Sequence, residues 1–319
     1  MTQENIFKTN SDVILGFGVE LEMGIEANVD GLKLLTSYYD FDENEPCHRD
    51  GTEYLICTDS REGNRSSIYD FLAYYLSDSE LQTVVGDPEN REYSKWQLDN
   101  DESVMEAGTT YRVEVVSPIL GLPTHKPDER SWTYELEKLF ACIERYFHVM
   151  DTTGASTHIH VAPVGRPWSQ AEIVSIGKGI NLISDIIPTF PRLAETERTA
   201  KWAKVNPQAA FNNSSTIRSV VQALCPDRSV AWNLRPMFNE PEHPAKGTIE
   251  FRRPPQSRSA DEAKRCITIT MCLVVLFLEE NELVTTIGGE AASSSDRKLL
   301  LLYNLIDRTA RRFGLGGMI

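Results

Sequence analysis

Between residues 17 and 23 the apolar side chains fall on every second position. Phe17, Val19, Leu21 and Met23 alternate with Gly18, Glu20 and Glu22. Successive side chains of a strand leave on opposite faces, so this run predicts a strand with both carboxylates on one face and a core-forming set on the other. The same polarity returns three times. Thr110–Pro118 places Val113 and Val115 against Arg112, Glu114 and Val116, and Pro118 ends the run. Ser156–Ala162 alternates Ile159 and Val161 with His158 and His160, and Thr248–Pro254 alternates Ile249 and Phe251 with Glu250 and Arg252. Further strands are predicted at Glu53–Thr58, at Tyr93–Asn100 before an acidic turn (Asp99 to Ser103), and at Val230–Arg235.

Helical spacing fills much of the remainder. Asp30–Tyr39 suits a short helix, and Asp40–Asp50 is acidic and loop-like. Ser66 and Ser67 are placed to cap a helix reaching Leu76, with Ile68, Phe71, Leu72 and Tyr75 on one face. Ser131–Met150 carries an apolar stripe of Leu136, Leu139, Phe140, Ile143 and Phe147. Ser169 is a cap for a helix to Pro188, Ser259 for a buried helix to Glu280, and Asp296–Phe313 is a last amphipathic helix. Pro188–Ser229 is irregular and locally basic, the character of a substrate loop or lid. With no internal repeat and no linker, the expectation is one domain over residues 1–319 with an insertion at 190–230.

Composition narrows the classes. The 319 residues are 41% hydrophobic and 25% charged, ordinary for a globular chain. A net charge of −15 argues against nucleic acid and anionic membrane surfaces as partners. Six scattered cysteines without a CxxC pair suit free thiols in a reducing compartment. The polar N-terminal residues lack a signal-peptide layout, and the longest apolar run, Ile267–Leu278, is too short to span a bilayer. A cytoplasmic location is therefore expected. No interface is readable, so the oligomeric state stays open.

If the four alternating strands share one sheet, its polar face carries Glu20, Glu22, Glu114 and Glu250 beside His158, His160 and Arg252. Crowded carboxylates repel one another unless cations compensate them. Hard oxygen donors with one or two imidazoles suit Mg²⁺ or Mn²⁺, whereas structural zinc prefers cysteine. Arg252 would bond phosphate or carboxylate oxygens. For each piece a plainer role competes, since a His-x-His pair is often a surface feature and an exposed ion pair is worth under ~1 kcal/mol.

The succession Gly18-Val-Glu-Leu-Glu22, Trp96 followed by Asp101-x-Ser103, Glu114-Val-Val-Ser-Pro118, Thr157-His-Ile-His-Val161 and Gly247-Thr-Ile-Glu-Phe-Arg252 resembles the amidoligase family. That family is a branch of the carboxylate–amine ligases with a fold like that of glutamine synthetase and glutamate–cysteine ligase. The motifs span about residues 16 to 255 in order. The resemblance implies an α+β fold whose antiparallel sheet has a metal-binding polar face and helices on the other face. It implies an ATP-dependent ligase that joins a small-molecule carboxylate and amine, or modifies a peptide, through an acyl phosphate. Glu20, Glu22, Glu114, His158 and Glu250 would hold two or three metal ions, Mg²⁺ or Mn²⁺. His160 and Arg252 would face the ATP phosphates, Asp101 and Ser103 would orient the amine, and Asn233 and Arg235 would bind the carboxylate or acyl phosphate. Two positions depart from the family pattern, Glu102 in place of Gly and Thr157 in place of Gly or a small apolar residue.

Two other classes compete: a zinc-dependent hydrolase built on His158 and His160, and a non-catalytic binding protein that keeps the ligase fold. Arg192, Arg198, Lys201, Lys204 and Arg218 in the basic insertion are able to meet an anionic substrate, or form a solvated face.

Overall fold

The computed structural model describes residues 6–38, 58–86, 93–100, 110–122, 131–191, 193, 196–239, 245–288 and 294–319. Its sheet is organised by β2 (Ile14–Ala27), a 14-residue strand reached through the two-residue β1 (Phe7–Lys8). On one side β2 pairs antiparallel with β5 (Tyr111–Val116). On the other it pairs with both β7 (Thr157–Pro163) and β6 (Phe147–Met150). β3 (Thr83–Val85) and β4 (Trp96–Asp99) extend the sheet beyond β5, while β9 (Ile249–Phe251) and β8 (Trp232–Asn233) extend it beyond β7. Among the described strands, every pairing is antiparallel except that of β3 with β4. The result is a mixed α+β fold.

Register turns the sequence alternation into two faces. Glu22 lies opposite Glu114, Glu20 opposite His158, Gly18 opposite His160, and His160 opposite Glu250. Cross-strand neighbours share a face, so these side chains converge. The opposite face is dry: Val19, Leu21, Met23 and Ile25 are at most 1% exposed. Each such side chain contributes about 1.5–3 kcal/mol by leaving water.

Helices cover the apolar face. α1 (Val29–Tyr38) and α2 (Thr58–Asp78) precede β3, and α3 (Trp132–Tyr146) puts Trp132 edge-on to Phe17, ring centres 5.5 Å apart. α4 (Gln170–Ile183) opens with a complete capping box between Ser169 and Glu172. α5 (Glu197–Trp202) and α6 (Ile217–Leu224) follow. The long α7 (Ala260–Leu278), capped by Ser259, brings Phe277 against Trp232, which stacks on Phe251 at 4.2 Å. α8 (Glu280–Ile287) and α9 (Ser295–Arg312) end the chain's regular structure. No described helix is long and apolar enough to cross a membrane. The described cysteines, Cys142, Cys225, Cys266 and Cys272, are buried free thiols.

Several expectations need correction. The helix predicted to reach Met150 stops at Tyr146, because Phe147 turns extended and residues 147–150 pair with the end of β2. Ser66 and Ser67 lie inside α2 and cap nothing, since the helix already begins at Thr58. The helix expected to reach Pro188 ends at Ile183, and a 3₁₀ turn at Ile187–Thr189 follows. The strand expected through Arg235 ends at Asn233, and Arg235 starts a second 3₁₀ turn. The expected strand at 53–58, before Thr58, and the loop at 40–50 lie outside the described residues.

Gly179 of α4 lets Phe277 of α7 approach so closely that an added Cβ would sit 2.2 Å from its ring. Gly179→Ala is expected to lower stability by about 1–3 kcal/mol through overpacking. Gly63→Ala, at an exposed helical position with nothing within 4 Å of the new methyl, should raise it by about 0.5–1 kcal/mol. Urea denaturation of the two variants checks both signs.

Candidate metal centre

The convergence is tightest around His158. Its Nδ1 lies 3.3 Å from Glu22 Oε1 and 3.6 Å from both Glu20 Oε2 and Glu250 Oε1. Its Nε2 is 2.8 Å from Ser156 Oγ, and that hydroxyl donates its proton to Glu22 Oε2. A hydroxyl has one proton to give, so Nε2–H must be the donor to Ser156. In the neutral ring this leaves the Nδ1 lone pair facing three carboxylate oxygens. Such a donor set repels itself and calls for a cation.

His160 stands one turn of the pleat away. Thr248 Oγ1 bonds its Nδ1 at 2.9 Å, while Nε2 is buried 3.3 Å from Glu20 Oε1 and makes no hydrogen bond. Glu20, His160 and Glu250 each offer a ligand atom within 4.8 Å of the others. Two carboxylates and one imidazole, all buried, fit a divalent metal cation.

Fixed cations offset part of the charge. Lys246 Nζ donates to Glu20 Oε1 at 2.9 Å and Arg252 Nη1 to Glu250 Oε1 at 2.6 Å. Asn233 Nδ2 holds the other oxygen of Glu250 at 2.7 Å. Burial works to raise both carboxyls, yet the Lys246 ammonium keeps Glu20 well below its ordinary value, and the Arg252 guanidinium does most to bring Glu250 down to about 2. Burial and the nearby Arg252 charge lower His158, outweighing the pull of Glu20 and Glu250, so the neutral ring is favoured. Both carboxylates are therefore charged at neutral pH and able to take up a cation without first losing a proton.

With this geometry in view, comparison with known proteins decides the family. The family model described as "Putative amidoligase enzyme" matches residues 14–275. The chain belongs to the amidoligase family. No curated protein matches it. Among solved structures, glutamine synthetase from Plasmodium falciparum is similar at 12% identity with a TM-score of 0.38, over 83% of this chain and 51% of that one. The chain thus spans about half the length of that enzyme. A likeness of that size settles neither fold nor activity.

In this chain, Glu20, Glu22, His158, His160, Glu250 and Arg252 meet in one cluster. Glu114 is buried on the same face, opposite both Glu22 and Asp99. His160, expected toward phosphates, also belongs to the three-residue ligand group. Asn233 steadies Glu250 and accepts a 3.1 Å bond from the Arg235 backbone, whereas the Arg235 guanidinium bonds the carbonyls of Cys225 and Pro226. Asp101, Ser103 and Arg192 lie outside the described residues. Arg198 is no solvated basic residue: its Nη2 donates to the carbonyls of Arg252, Arg253 and Pro254 at 3.0–3.1 Å.

Three members were missed in the sequence: Ser156, Thr248 and Lys246. Strand parity marks the first two, since 156, 158 and 160 share a face, as do 248, 250 and 252. Lys246 lies before Gly247, whose φ of 72° breaks the alternation, and has no local signal.

Adding Mn²⁺ or Mg²⁺ to the protein should stabilise it by about 2.7 kcal/mol at a hundredfold excess over the dissociation constant. In Glu250→Ala that increment should vanish. The variant should also lose about 3–5 kcal/mol without metal, because Arg252 and Asn233 are left facing a void. Calorimetric melting with and without the ion measures both effects.

Proposed function

We propose that the protein is an ATP-dependent carboxylate–amine ligase. The observation that carries this reading is the buried cluster of Glu20, Glu22, Glu250, His158 and His160 with Arg252 set against it, in a chain of the amidoligase family. In the proposed reaction a carboxylate oxygen of the substrate attacks the γ-phosphorus of ATP and the bond to ADP breaks. The amine nitrogen then attacks the acyl carbon, forms the amide, loses a proton and expels phosphate.

Glu20, His160 and Glu250 would hold one divalent cation, and Glu22 with His158 Nδ1 would help to hold another. When bound, such ions neutralise phosphate oxygens and draw off the charge that develops in phosphoryl transfer. Arg252 contributes a fixed guanidinium. Burial works against its charge, but Glu250, Glu22 and Glu20 raise it above its ordinary value, so it stays cationic throughout. Anchored at 2.6 Å to Glu250, its guanidinium is held in one orientation before any substrate binds. Arg198 positions it by gripping the backbone just after β9. Ser156 and Thr248 fix the two imidazole planes. In the basic insertion, α5 carries Arg198 to the backbone that follows β9.

ADP release should require Mg²⁺ or Mn²⁺ together with both a carboxylate and an amine. Arg252→Lys should lower kcat by about 100-fold, since a single ammonium cannot hold Glu250 and serve a phosphoryl oxygen in the same geometry. Coupled ADP assays over pools of amino acids and peptides test this. One tightly held zinc per chain, with no ADP formed from any pair, would turn the assignment toward the hydrolase.

A further inference from the structure

Glu22, Ser156 and His158 form a loop of three side chains at the back of the cluster. Ser156 stands opposite Glu22 where β2 and β7 meet, and the Glu22 N–H donates to its carbonyl at 2.9 Å. Lying two residues before His158, Ser156 shares a face with that imidazole. Its hydroxyl therefore reaches both neighbours: it donates to Glu22 Oε2 and lies 2.8 Å from His158 Nε2. At the front of the loop, Glu22 Oε1 and His158 Nδ1 are 3.3 Å apart. Two ligand atoms at right angles on one divalent ion, each about 2.1 Å from it, stand about 3 Å apart. The separation suits a shared cation.

The serine proton has no freedom. A carboxylate only accepts, so that proton is committed to Glu22, and the imidazole must bring its own to the serine oxygen. His160 has no such lock. Among the described residues Thr248 Oγ1 bonds nothing else, so it serves His160 Nδ1 equally as donor or acceptor. A serine, a histidine and an acid also suggest a nucleophile, but here the hydroxyl donates to the acid and not to the imidazole. Ser156 is 1% exposed, which keeps a substrate carbon from its oxygen. A cavity of about 370 Å³ opens beside the cluster at Glu20 and His160, and none of Ser156, Glu22 and His158 lines it.

We propose that Ser156 is a positioning residue that makes Glu22 and His158 one chelating pair, fixing Nδ1 of the imidazole and Oε1 of the carboxylate as the atoms that take a cation. This rests on the reading of those two residues as cation ligands and on no step of the ligase reaction. Ser156, His158 and Glu22 are at most 4% exposed, so bulk water does not compete for the bonds that hold the pair.

Titration calorimetry with Mn²⁺ and ¹⁵N spectra of the histidine-labelled full chain test this together, with His158 assigned from a His158→Asn spectrum. Ser156→Ala should bind Mn²⁺ about 10- to 100-fold more weakly. Without added metal, His158 should be a single Nε2–H tautomer in the wild type and a mixture in that variant, while the His160 signals stay as they were. Ser156→Thr, which keeps the hydroxyl, should restore both properties. Ser156→Cys, whose thiol is a weak donor, serves if the alanine variant does not fold, and should fall between alanine and serine. Wild-type affinity in the alanine or cysteine variant overturns the proposal. So does weaker binding with the tautomer intact, which would make the loss one of packing. Labelling of Ser156 by diisopropyl fluorophosphate overturns it too, by making the residue a nucleophile. A wild-type chain that takes up no Mn²⁺ removes the ligand reading and this proposal with it. A chain that takes up Mn²⁺ through the locked pair but never releases ADP sustains the proposal and defeats the ligase reading alone.

Discussion

Buried negative charge is the constraint to which the site answers. Glu20, Glu22 and Glu250 are each at most 8% exposed and reach the same imidazole nitrogen within 3.6 Å. Carboxylates that close cannot all stay ionised in a dry environment without positive partners. Arg252 and Lys246 supply two, His158 and His160 surround the rest with nitrogen, and the dense set of donors makes the place a candidate cation site. The sheet is the means by which residues far apart in the chain meet this demand. Because β2 has partners along both edges, its two acids are flanked by β5 on one side and β7 on the other, with β9 one strand further on.

The same strand also explains why a polar cluster and an apolar cavity lie side by side. On its cluster-facing side β2 reads Gly16, Gly18, Glu20, Glu22, so half of that surface is empty and half is charged. The empty half is roofed by no side chain of its own and borrows its walls from the segments after β5 and β7. The charged half borrows Lys246 and Thr248 from the approach to β9. One short sequence thus sets both a charged end and an open, apolar-walled end.

Much of this was legible in the chain because strand parity is a local property. Four runs announced their polar and apolar faces, and the register brought Glu20, Glu22, Glu114, His158, His160, Glu250 and Arg252 onto one of them. What stayed hidden depended on distant partners. Residues 147–150 become a strand only because the end of β2 offers them an edge, so their helical spacing misled. Lys246 looked like part of a turn until the fold set it beside Glu20. Arg198 carried the same charge as its solvated neighbours, and nothing local revealed that three carbonyls beyond β9 would enclose it. Arg235 erred in the other direction: its charge suggested a ligand contact, but the 3₁₀ turn at Arg235–Met237 gives its guanidinium to backbone carbonyls.

The bond between Lys246 and Glu20 joins residues 226 positions apart. During synthesis the acids of β2 leave the ribosome long before the lysine, the arginine at 252 or the strand that carries Glu250. For most of that interval the nascent chain holds an anionic strand with an apolar back and no partner for its front. Order in this centre therefore comes late, when nearly the whole sheet has been translated. A chain interrupted before β9 would lack Glu250, Arg252 and the last three helices, so cation uptake would report completed assembly as well as chemistry.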